Sequence, residues 1–179
     1  MKFSLSTFDN TWYKPGSSGK IIFWMLISQC FFETFFPWPS SLKRKLLTWF
    51  GAEISKGVVI KPHVQIKYPW FLTVGEFSWI GEHVWIDNLG RVTIGSDSVL
   101  SQGVYLCTGN HNFKSKSFDL VVGEISIGDS VWIGANGVVA PRVTIKDGIV
   151  VSLGSFVKSD LVDSGIYSGN PTVKIGHLK

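Results

Sequence analysis

Residues 92–113 read VTIGSDSVLSQGVYLCTGNHNF, and an aliphatic residue returns in them every six positions, at Ile94, Leu100 and Leu106. The same beat runs outward in both directions. Upstream lie Ile54, Ile60 and Ile66, then Val74, Ile80 and Ile86; downstream, after an interruption, come Ile127, Ile133, Val139, Ile145, Val151 and Val157. Ile, Val and Leu fill 48 of the 179 positions, so fifteen arbitrary sites would hold roughly four of them, whereas all fifteen sites do. A period of six is one short strand plus a turn. Three such sides close a coil of about 18 residues, and the fifteen positions describe about five stacked coils of a triangular prism. Extra residues fall after Ile66, Ile86 and Leu106, always where side three meets side one and a loop can bulge without disturbing the stack. Gly75, Gly81, Gly95, Gly128 and Gly134 directly follow repeat positions and are expected to supply unusual backbone angles at sharp corners.

The expected fold is an all-β solenoid, a parallel β-helix over residues 53–160 with a long loop at 107–124. It is preceded by an N-terminal extension (1–52) carrying an apolar helix and followed by a short C-terminal tail (161–179). Side chains alternate along a strand, so the residue before each inward position points out. Side one then presents Glu53, Thr73, Thr93, Ser126 and Thr144, a polar row. Side two presents Val59, Trp79, Val99, Trp132 and Val150, and side three Gln65, Trp85, Tyr105, Val138 and Phe156. Two largely apolar faces need covers. The N-terminal helix is expected over one of them, and the neighbouring subunits of a closed homotrimer over the other.

With 45% hydrophobic and 17% charged residues the chain can build a buried core, which excludes disorder. A net charge of +4 with no aromatic RNP strand or zinc knuckle excludes a nucleic-acid binder. Cys30 and Cys107 match no metal or redox spacing and read as small hydrophobes in a reducing compartment. Residues 20–36, KIIFWMLISQCFFETFF, are apolar, yet their longest unbroken run, Ile21 to Ile27, falls far short of the roughly 20 residues a span needs. The segment also starts too far along the chain for a signal peptide and lacks a small-x-small cleavage site, so a cytoplasmic protein is expected. The segment is read first as the cover of a prism face; followed by Lys43, Arg44, Lys45, Lys56, Lys61 and Lys67, it also suits peripheral contact with anionic lipid on the inner face of the membrane.

The repeats, together with VWIGANGVVAPRVTI (131–145) and IYSGNP (166–171), resemble the hexapeptide-repeat, left-handed β-helix acyltransferases. Within that superfamily FDNTWYKPG (8–16), YPW (68–70) and YLCTGNH (105–111) are similar to the colanic-acid-type O-acetyltransferases of surface polysaccharide assembly. The resemblance spans nearly the whole chain. It implies left-handed coils, acetyl-CoA as co-substrate without a metal, a sugar or lipid-linked saccharide as acceptor, and a catalytic histidine in the long loop, where this sequence has His111.

Moving an acetyl group from a thioester to an alcohol requires the hydroxyl proton to be removed as its oxygen attacks the carbonyl. Imidazole, which titrates near neutrality, suits that task, so His111 is the candidate general base in a ternary complex. Cys107 is the only nearby nucleophile and reads as packing. Acceptor contacts are expected from His83, Asp87 and Asn88 in GEHVWIDN and from Asn110 beside His111; turn chemistry accounts for Asp87 and Asn88 equally well. Asp119 is expected either to orient His111 or to cap a turn.

For acetyl-CoA, the resemblance implies a pantetheine arm along the later coils, at Trp132, Gly134, Ala135, Leu153, Gly154 and Ser155, with Lys158 and Lys174 as phosphate partners. Two departures shift that pattern. The usual Pro-Gly turn reads Pro141-Arg142, and the usual Thr-Lys-Asp reads Lys158-Ser159-Asp160. Three readings compete. A zinc carbonic anhydrase needs converging histidines, and no His-x4-His pair exists among His63, His83 and His111. A non-catalytic scaffold would have no loop chemistry. N-acetylation of an amino or nucleotide sugar would use the same donor and base.

Overall fold

In the computed structural model, which describes residues 3–178, the six-residue beat becomes three parallel ladders. On side one Ile54, Val74, Ile94, Ile127 and Ile145 pair in succession. On side two the succession is Ile60, Ile80, Leu100, Ile133 and Val151, and on side three Ile66, Ile86, Leu106, Val139 and Val157. Every one of these side chains is buried except Ile54, in the end coil, which is half-buried against the core. The residues two before them, such as Val64, Val84 and Val104, are buried too, so each short strand and its corner contribute twice to one continuous apolar column.

The stack runs past the fifth coil. Leu161 bridges Ile145 and Gly165–Gly169 lies parallel to Ile149–Val151, forming a partial sixth coil that Thr172–Gly176 closes by turning back antiparallel. The tail expected at 161–179 is therefore a continuation of the prism and its terminal strand.

The corner glycines do a different job from the one expected. None of Gly75, Gly81, Gly95, Gly128 and Gly134 has a positive φ; the left-handed corner positions are held by Phe77, His83, Asp97, Ser130 and Asn136 instead. What excludes a side chain is the next coil: a Cβ on Gly81 would sit 2.7 Å from the Leu100 carbonyl oxygen, and one on Gly134 2.6 Å from the Leu153 nitrogen. Glycine is required here by coil-to-coil approach rather than by backbone angle. Beside these corners Ser78 and Ser98 are buried. The Ser98 hydroxyl donates to the Gly128 carbonyl (2.8 Å) and accepts from the Val131 amide (3.0 Å), stitching adjacent coils.

Two helices close the open end. α1 (Ser18–Phe31) starts at an N-cap Ser17 that accepts from the Lys20 amide, and α2 (Ser40–Trp49) follows a turn containing Pro37 and Pro39. The first coil has no partner below it, so its outer carbonyls need other donors. Lys43 Nζ donates to the Lys61 carbonyl (2.9 Å), Arg44 Nη1 to that of Val58 (2.8 Å), and Trp24 Nε1 to that of Ile66 (2.8 Å). The N-terminal helix was expected over an outer face; together with α2 it caps the edge of the first coil and flanks only the lower part of side three, at Gln65 and Trp85, while the outward row of side two stays open. Trp79 and Trp132 are 49% and 52% exposed there.

Candidate functional site

The interruption of the repeat is not an irregular loop. Leaving side three at Tyr105–Cys107, the chain folds into an antiparallel hairpin, Gly109–His111 against Leu120–Val122, with His111 opposite Leu120. A hairpin satisfies its own backbone groups, which lets it project from the corner without a neighbouring coil. His111 stands at the end of its strand with its ring stacked on Phe118, centroids 4.3 Å apart and planes within 7°. Its Nδ1 lies 2.9 Å from the Phe118 carbonyl oxygen. A carbonyl only accepts, so Nδ1 carries the hydrogen and, in the neutral ring, Nε2 keeps its lone pair.

His111 lines a cavity of about 600 Å³. One wall is the segment ahead of α1, contributing Phe8, Asn10 and Tyr13; the other comes from the third-side corners, with Lys67, Tyr68, Asp87 and Leu89. Ser4 donates its amide to the Lys116 carbonyl (2.9 Å), Phe3 stacks on Phe118, and Phe8 lies 5.6 Å from the His111 ring, so residues 3–8 are strapped over the hairpin. Tyr13 donates to the Leu89 carbonyl at 2.6 Å.

Asp87 organises the floor. Its carboxylate takes Lys67 Nζ at 2.9 Å on one oxygen and the Tyr105 hydroxyl at 3.2 Å on the other, while Tyr105 is stacked on Trp85. Burial pushes the Tyr105 hydroxyl well above the ordinary tyrosine range, reinforced by Cys107 and Asp87; burial does the same to Tyr13. Both phenols therefore stay protonated donors through the physiological range. Cys107 donates to the Gly109 carbonyl (3.0 Å) at the start of the hairpin, a packing role.

Of the sequence-derived acceptor residues, Asp87 shares the cavity with His111. Asn88 does not reach it: it is fully buried and its amide is spent on the Tyr68 backbone, accepting from its amide (3.0 Å) and donating to its carbonyl (2.7 Å). Asn110 is exposed and accepts from the His111 amide. Asp119 does not orient His111. Its carboxylate accepts from Ser117 at 2.6 Å, which with Ser115 holds it below the usual carboxylate range, and the orienting group is the Phe118 carbonyl. The residues missed by sequence reasoning are Tyr13, Asn10, Lys67 and Tyr105. FDNTWYKPG and YLCTGNH contain three of them, and only the fold shows that these segments meet.

The donor-side candidates lie along another edge of the prism. His83, expected among the acceptor contacts, does not line the His111 cavity but lies on this edge: it stacks on His63 at 4.6 Å and shares the corner between sides two and three with Gly134, Ala135, Leu153 and Gly154. Leu153 is exposed, Gly154 has open space where a Cβ would be, and Gly154 donates its amide to Ala135. Trp132 is anchored by donating Nε1–H to Ser101 (2.9 Å). The Ser155 side chain is buried and accepts from the Gly169 amide, so it faces the Gly165–Gly169 strand and not a ligand. Lys158 follows the last side-three strand, and Lys174 lies on the closing strand opposite Tyr167. Within one protomer this edge and His111 remain apart. Among the described residues no group of three or more His, Cys, Asp or Glu side chains is placed to hold a metal ion.

No protein-family model matches the chain. Over 167 residues it is 42% identical to WcaF of Escherichia coli (strain K12), a protein named for acetyl transfer in colanic acid biosynthesis, covering 91% of this chain and 90% of that one. The hexapeptide-repeat acetyltransferase VCA0836 from Vibrio cholerae superposes with a TM-score of 0.80 at 20% identity, covering 90% of this chain and 92% of that chain. A galactoside acetyltransferase in complex with coenzyme A gives 0.80 at 23% identity, with 90% and 82% covered. The last two likenesses concern the fold alone.

Proposed function

Since the chain belongs to the hexapeptide-repeat acetyltransferases, of the kind named for colanic acid biosynthesis, we propose that it moves the acetyl group of acetyl-CoA onto a sugar hydroxyl of a surface-polysaccharide precursor. The observation that carries this reading is the His111 geometry. With Nδ1–H held by the Phe118 carbonyl, the Nε2 lone pair is the only basic site of the neutral ring. An acceptor hydroxyl in the cavity gives its proton to Nε2 as its oxygen bonds to the thioester carbonyl carbon. The C–S bond then breaks, and the imidazolium returns the proton to the leaving thiolate. Asp87, with Lys67 and Tyr105 fixed on its two oxygens, and Tyr13 form the polar surround that orients the sugar.

The two exposed tryptophans of side two, and the placement of the two edges at different corners of the prism, support a homotrimer in which His111 of one copy works against the Gly134 to Gly154 edge of the next. Exposed backbone and the flat surface around Leu153 and Gly154 suit a pantetheine arm. A cytoplasmic workplace fits the two free cysteines.

Coenzyme A release would be followed across a panel of sugars, nucleotide sugars and lipid-linked saccharides. His111→Ala should lower turnover by roughly 10²- to 10⁴-fold with acetyl-CoA binding retained. Near-normal turnover in that variant would remove the general-base role. An alkali-labile product separates ester from amide, and sedimentation equilibrium showing only monomer at micromolar concentration would remove the trimer.

A further inference from the structure

α1 is apolar around its whole circumference although only one side is buried. Trp24 and Ser28 face the prism; Ile22, Met25 and Leu26, spaced for one helical face, each expose more than half of their surface. Beside them lies Phe23, in edge contact with Trp49, which is itself 69% exposed, and at the end of the helix Phe36, 57% exposed, packs on Trp38. No other region of the described surface collects so many large apolar side chains. Around it the charge is one-sided. Between Asn10 and Ala52 the exposed cations are Lys14, Lys20 and Lys45, with Arg44 half-buried and Lys43 buried beneath the first coil, against a single acid, Glu33, and that acid is tied up by Ser28 and Gln29.

We infer that this face of α1, with Phe36 and Trp49, seats the protein on an anionic bilayer surface. No described helix is long and apolar enough to cross a membrane, and 14 residues extend only about 21 Å. A short helix in the interfacial plane with lysines at its rim and aromatic side chains at the headgroup level is the arrangement a lipid surface holds. Opposite charge selects anionic headgroups.

The placement deepens the acceptor assignment, and in that part it rests on the acetyltransferase reading. Met25 and Ile21 wall a groove of about 350 Å³ whose other side includes Lys67 and Tyr68, and these two residues also line the His111 cavity. A saccharide whose lipid end remains in the bilayer can therefore follow one wall of α1 to the imidazole. That path fits the lipid-linked saccharide which the family resemblance already implies as acceptor.

The test begins without any acceptor. The full chain is floated with vesicles of phosphatidylcholine alone and with about 30% phosphatidylglycerol. Binding to the anionic vesicles, weakened by high salt, is expected, with a fall of roughly tenfold or more for the Ile22→Ser/Met25→Ser/Leu26→Ser variant. These side chains are exposed, so that variant should keep the wild-type circular dichroism and melting temperature. Failure of the wild type to float, or equal flotation of the triple variant, overturns the proposal. So does loss of oligomeric state in the variant, which would make the face a subunit contact. Flotation reads docking independently of catalysis. If the protein binds vesicles yet acetylates nothing, the acetyltransferase reading fails alone. If it acetylates a soluble saccharide and a lipid-linked one equally well, the acceptor assignment fails and docking stands.

Discussion

Ile127 and Ser126 are neighbours on one strand and point to opposite faces of it. Ile127 is buried between Ile94 in the coil below and Ile145 in the coil above; Ser126 is exposed on the polar side, between Thr93 and Thr144. Truncating Ile127 to Ala removes three heavy atoms from a column whose upper and lower members are fixed by their own backbone ladders, so the gap cannot close by sliding a coil. The cost should be about 2–5 kcal/mol. At roughly 2–4 °C per kcal/mol for a chain of this size, the melting temperature should fall by about 4–20 °C. Ser126→Ala makes no change in the column and should stay within about 0.5 kcal/mol of the wild type. Side one is also the face that needs no cover, so the comparison is not confounded by subunit contacts. Thermal and urea unfolding of both variants, followed by circular dichroism, give the two numbers. If Ser126→Ala costs as much as Ile127→Ala, or if both are neutral, the assignment of inward and outward rows is wrong.

Ser98→Ala leaves a buried amide and a buried carbonyl without partners and should lose about 1–3 kcal/mol in urea unfolding. Asp87→Asn releases Lys67 and weakens the hold on Tyr105; kcat/KM for the acceptor should drop roughly 10- to 100-fold while KM for acetyl-CoA stays within error, as steady-state kinetics in both substrates would read. Burial pushes the Lys43 ammonium down to about 8, below the ordinary lysine value of 10.5. Between those two values the unfolded chain binds more protons than the folded one, so this group makes stability rise with pH across that window and fall as pH drops through about 8. Lys43→Met should flatten that slope; urea midpoints that climb just as steeply in the variant would refute the assignment.

The ladders were legible in the sequence because the column tolerates only aliphatic side chains at one position in six, and burial enforces that at every coil. The sixth coil was hidden. Leu161 and Tyr167 keep the spacing of six, but Leu161 follows Val157 by only four residues and Tyr167 is not aliphatic. The corner glycines were visible but their cause was not, since close approach of the next coil leaves no mark in a single chain's local pattern. His111 could be found because the repeat breaks around it. Its orienting group could not, because a backbone carbonyl has no sequence signature, and Asp119 offered a side chain in the right place for a different bond. Tyr13 and Lys67 were invisible as site residues for another reason: they are 98 and 44 positions away from His111, and only the strap over the hairpin and the stacking of the third-side corners bring them to it.

That strap bears on how the protein should be handled at the bench. Phe3 and Phe8 rest on the same hairpin that carries His111, the proposed general base, so any purification handle joined ahead of them is leashed to the mouth of the His111 cavity. Blunted turnover in such a preparation would reflect a crowded entrance rather than a weak catalyst. The far end is safer ground, for Thr172–Gly176 closes the opposite pole of the prism, where an appended tail would trail away from both the cavity and α1.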